Sequence, residues 1–87
     1  MAATLYLVLA VRRPDFNESA VQPHRDFLDA LRAEGRLQLT GGFADGTGGA
    51  YVLCNLDSLA QAQAIVATDP LATMRAAELT VHEWNTR

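Results

Sequence analysis

The sequence predicts an α+β fold in which two helices cover one face of a four-stranded antiparallel sheet. Three observations lead there. Four short segments are rich in β-formers, and two others carry apolar residues at helical spacing. Their order is β-α-β-β-α-β, that of the split βαβ or ferredoxin-like arrangement. That arrangement puts its first and third strands at the centre of the sheet, and here those two strands are apolar on both faces. Pattern and topology therefore agree.

The first strand is expected over residues 3–11, with Leu5, Leu7, Leu9 and Val11 on one face and Tyr6, Val8 and Ala10 on the other. Residues 12–19 are a polar loop in which Asn17 or Ser19 is placed to cap a helix. The helix is expected over 20–34. His24, Phe27, Leu28 and Leu31 share one face at i, i+3, i+4 and i+7. Arg25, Asp26, Asp29, Arg32 and Glu34 fall mostly on the solvated side. Pro23 suits the first turn, and Gly35 can take the left-handed conformation that ends a helix. Residues 37–43 alternate, with Leu37, Leu39 and Phe43 against Gln38 and Thr40, as in a strand with one wet face. The glycine-rich residues 45–49 make a hairpin turn into a third strand over 49–56. Asp57 or Ser58 caps a helix over 59–67 that buries Leu59, Ala62, Ile65 and Val66. Asp69-Pro70 stops it and opens a short segment over 70–76. The last strand, 78–84, alternates Leu79 and Val81 against Thr80, His82 and Trp84.

At 87 residues the chain reads as a single domain spanning 1–87, with a thin core. The net charge is −3, and all seven basic residues are arginine with none in a long run, which argues against nucleic acid or an anionic membrane as partner. One cysteine, Cys54, excludes an internal disulfide and fits a reducing compartment. The apolar run from Leu5 to Val11 is too short to span a bilayer, and no basic leader precedes it, so a cytoplasmic location is expected. With helices on one face only, Tyr6, Val8, Val52 and Cys54 are expected to leave the other face apolar. Two such sheets would then pack face to face in a homodimer.

Val21-Gln-Pro-His24, Leu28, Leu31, Glu34-Gly-Arg-Leu37, Thr40-Gly41, Ser58-Leu-Ala-Gln-Ala62 and Asp69-Pro70 together resemble the YCII-related proteins. The motifs are short, but their order and spacing cover nearly the whole chain. These are small bacterial proteins of the dimeric α+β barrel fold. The resemblance implies an active-site pair at His24 and Asp69. It also implies chemistry of the kind known on this barrel, dehydrochlorination of chlorinated hydroquinones or isomerisation of lactones. The sequence departs from the family where Gly41-Gly42 replaces the usual Gly-Pro, and in a short loop between strands two and three.

An imidazole ordinarily titrates near ~6.5, which suits proton transfer at neutral pH. A carboxylate such as Asp69 would fix its tautomer. The alternative is that His24 is a core histidine bonded to the fold and that Asp69 is an N-cap before Pro70. Gly41 and Gly42 would let a ligand approach the backbone, or merely mark a bend. Tyr6, Tyr51 and Trp84 are aromatic candidates to line a pocket or a dimer interface; of these, Tyr6 and Trp84 are assigned with the glycines to substrate binding. Arg12 and Arg13 could steer an anion, Cys54 reads as an inert thiol, and His82 as solvated. No metal-ligand spacing occurs, so neither a metal nor a cofactor is expected. Two functions remain open. One is a cofactor-independent enzyme using His24 and Asp69 for elimination, isomerisation or hydrolysis of a small cyclic molecule. The other is a dimeric binding or accessory protein in which the pair is structural.

Overall fold

A computed structural model describes residues 3–87; Met1 and Ala2 of the expected domain lie outside the described residues. The elements are β1 (Thr4–Arg12), α1 (Val21–Ala33), β2 (Leu37–Gly42), β3 (Gly48–Leu53), α2 (Leu59–Val66), the four-residue α3 (Pro70–Thr73) and β4 (Ala77–Asn85). The sheet order is β2-β3-β1-β4 and every neighbouring pair is antiparallel, as the ferredoxin-like pattern requires.

The helix signals act largely as expected. A 3-10 turn (Glu18–Ala20) precedes α1, and the Asn17 side chain caps that turn by accepting from the Ser19 N–H. α1 itself begins without a side-chain cap. Gly35 ends it at φ +75°, and Ser58 caps α2 by accepting from the Gln61 N–H. β4 keeps its alternation, with Leu79 and Val81 half-buried and Thr80, His82 and Trp84 outside.

Three expectations need correction. First, β1 is turned over. Tyr6, Val8 and Ala10 are buried under the helices, while Leu5, Leu7, Leu9 and Val11 face the open side. Both faces of this strand are apolar, so its own composition does not choose between them. Its register with β3 does, because Val8 lies beside Tyr51 and Tyr6 beside Leu53, which share the helix-covered face. Val52 stays on the open face between Leu7 and Leu39. Second, a bulge between Leu37 and Leu39 breaks the alternation of β2: Leu37 is buried and Leu39 exposed. Third, β3 stops at Leu53, so Cys54 is not mid-strand. The chain turns at Asn55, whose positive φ of 59° ends the extended run and whose side-chain N–H donates to the Gly35 carbonyl at 2.7 Å.

The main core joins Tyr6, Val8, Tyr51 and Leu53 of the sheet to Leu28 and Leu31 of α1 and Ala62 and Val66 of α2. Asp69 is the single buried charged residue among the described residues, at 0% exposure.

Candidate functional site

Three elements converge on that carboxylate. His24 lies one turn into α1, on the same stripe as Phe27 and Leu28, so the helix that buries Leu28 also carries the imidazole inward. Asp69 is the N-cap of α3: its side chain accepts from the Leu71 N–H at 2.8 Å, and Pro70 follows where a missing N–H costs nothing. Tyr51 sits on the helix-facing side of central strand β3.

His24 Nδ1 lies 2.9 Å from Asp69 Oδ1, and the Tyr51 hydroxyl donates to Asp69 Oδ2 at 2.8 Å. With the Leu71 amide, three donors hold two oxygens, and no buried side-chain polar atom among the described residues lacks a partner. A carboxylate accepts, so Nδ1 is the donor, and in the neutral ring the lone pair is then on Nε2. Nε2 has no protein partner among the described residues, and since it is not an orphaned buried atom it is reached from outside. The ring packs on Phe27 and Tyr51, at centroid distances of 6.4 and 5.9 Å. Burial, then the Asp69 charge and the hydrogen bond to it, push the Tyr51 phenol well above its ordinary range, which keeps it a donor.

A cavity of about 310 Å³ opens beside His24, with Tyr51, Leu28, Leu71, Gly42 and Thr40 in its wall. That is room for one small ring. Among the expected site residues, His24, Gly41 and Gly42 line it, and Asp69 lies behind His24. Tyr6 and Trp84 are not brought there: Tyr6 is packed into the core, and Trp84 lies on the open face at the far edge strand. Tyr51 is the site residue that sequence reasoning left among several aromatics. A buried tyrosine must find a partner for its hydroxyl, but only the register shows that Asp69 is that partner. Arg25, read as part of the solvated face of α1, also lines the cavity.

The fold is a ferredoxin-like α+β arrangement, and its candidate site is an imidazole backed by a buried carboxylate. The chain belongs to the YCII-related family: the model of the YCII-related domain matches residues 4–85. It is 48% identical over 79 residues to the uncharacterised protein YjpA of Bacillus subtilis (strain 168), covering 91% of this chain and 92% of that one. Among solved structures it is similar to the 5-chloro-2-hydroxyhydroquinone dehydrochlorinase TftG of Burkholderia phenoliruptrix AC1100, in complex with 2,5-dihydroxybenzoquinone. The TM-score there is 0.69 at 20% identity, over 92% of each chain, a likeness of fold.

Proposed function

We propose that this protein is a small cofactor-independent enzyme in which His24 is the general acid/base and Asp69 its positioning residue. The observation that carries this reading is the 2.9 Å contact between His24 Nδ1 and a fully buried Asp69, with Nε2 left free beside a cavity. Such a pair delivers or removes a proton at a fixed point in the cavity without needing the rest of the site to move. Elimination, isomerisation or hydrolysis of a small cyclic molecule are the reactions that a single proton shuttle serves. The dehydrochlorinase with a similar fold, solved with a ring compound bound, supports that substrate class. We further propose that the open sheet face, with Leu39 64% and Val11 52% exposed, is covered by a second copy of the chain. A purely structural role for the pair has its own support, because Asp69 also ties α1, β3 and α3 together.

The test is the tautomer of His24, read from its ring nitrogen shifts by NMR, together with turnover. The chain has two histidines, so assignment is direct. The neutral ring is expected to carry its proton on Nδ1, and Asp69→Asn is expected to disturb that. Chlorinated hydroquinones and lactones are then screened for chloride release and ring opening, both expected to disappear in His24→Gln. A proton resident on Nε2, or turnover that survives His24→Gln, overturns the acid–base reading.

A further inference from the structure

We propose that the cavity beside His24 takes a small organic acid, whose carboxylate is bound by Arg12 and Arg25. This rests on the reading of the cavity as the substrate site and adds the charge of the substrate to it. In a chain of net charge −3, the ionisable cationic groups in the cavity wall are the two arginines, joined by the His24 imidazole, and no aspartate or glutamate lines it. Asp69 lies behind the imidazole with both oxygens occupied. The wall therefore favours an anion.

Neither guanidinium is spent on the protein's own carboxylates. Arg13, Arg32 and Arg36 each have an acidic partner within 4.0 Å, while Arg12 and Arg25 have none among the described residues. Asp26, next to Arg25 in sequence, accepts instead from the Gln22 side chain at 2.9 Å. Arg12 is nevertheless held in place. Its guanidinium carbon lies 4.2 Å from the centroid of the Phe16 ring, which also lines the cavity. Stacking on an aromatic face leaves the N–H edges free, and those edges match a carboxylate in two parallel hydrogen bonds. Apolar wall from Leu28 and Leu71 accepts the hydrocarbon part, and His24 Nε2 is left to meet it.

The experiment compares benzoate with benzamide, which share shape and differ in charge, by NMR titration observing the His24 ring. Benzoate is expected to bind at least ~10-fold more tightly than benzamide, the size of a charge-assisted hydrogen bond. Arg12→Gln and Arg25→Gln are each expected to weaken benzoate several-fold, and the double variant to abolish the preference. Both residues are exposed, so these changes leave the core intact. Equal affinity for the two ligands, benzoate binding unchanged in the double variant, or no benzoate binding up to about 20 mM would each overturn the anion site. The readings fail separately. Equal affinities with the Nδ1–H tautomer present overturn the anion site alone. A benzoate preference that persists where the tautomer is reversed supports the anion site and removes the acid–base role.

Discussion

Two oxygens of Asp69 are claimed by donors from α1, β3 and α3, so a single carboxylate ties three elements together and, in the proposed function, also positions His24. Removing one donor tests how much of that work is structural. Tyr51→Phe deletes a hydrogen bond to a charged group and is expected to cost about 1–3 kcal/mol in urea unfolding. It also has a signature in pH. The phenol's pKa is raised in the fold above the value near ~10 that it has in an unfolded chain. Its contribution is therefore complete below about pH 10. Above that, the unfolded chain releases the proton while the folded one keeps it, and stability falls as pH rises. Unfolding midpoints between about pH 8 and 11 are expected to show this alkaline loss in the wild type and a smaller one in Tyr51→Phe; equal slopes would assign the loss to other groups. At this scale the sequence was half legible. His24 could be placed on an inward helical stripe and Asp69 at a helix cap before its proline, since both signals are local, while their pairing was implied by the family resemblance. Tyr51 could not, because its partner lies 18 residues away and the register decides the meeting.

The two glycine pairs that flank the β2–β3 turn look alike in the sequence and are not alike in the sheet. Central strand β3 passes between β1 and β2 with so little room that a Cβ on Gly48 would overlap the Ala10 carbonyl oxygen. At Gly42 a Cβ would meet nothing nearer than the Gly48 oxygen, at 3.8 Å. Gly48→Ala is expected to cost ~2 kcal/mol or more, or to prevent folding, since backbone must move to admit the methyl group. Gly42→Ala is expected to fold with stability within about 0.5 kcal/mol of wild type. Thermal unfolding of the two variants side by side checks the contrast, and equal melting temperatures would refute it. Helices were the more legible elements here. The α1 stripe, the Gly35 stop and the Ser58 cap are each written within a few residues. The strand errors came from two-sided apolar runs and from a bulge, neither of which leaves a mark in local periodicity.

At the scale of the whole molecule, the open face of the sheet carries Leu5, Leu7, Leu9, Leu39, Val52 and Trp84, with no helix above it among the described residues. Face-to-face packing of two copies would remove that surface from water, at roughly 25 cal/mol per Å² of apolar area. Sedimentation at micromolar concentration is expected to give twice the chain mass. Leu7→Arg, at the centre of the face and outside the helix-covered core, is expected to give a folded monomer. A wild-type monomer would end the dimer proposal. Among the described residues no helix is long and apolar enough to cross a membrane.

What the sequence determined by itself was the order of elements, the central place of β1 and β3, the helix ends, the inward stripe that carries His24 and the cap at Asp69; that these two residues form a pair was implied by the family resemblance. All but that pairing follow from periodicity, capping chemistry and composition, which act over a few residues and can be read wherever they occur. Tertiary structure decided which face of β1 is covered, where β2 slips its register, and that Tyr51, His24 and Asp69 meet while Tyr6 and Trp84 stay away. Those outcomes depend on pairing between distant strands. A strand apolar on both sides can present either face, and only contacts with the rest of the chain break the tie.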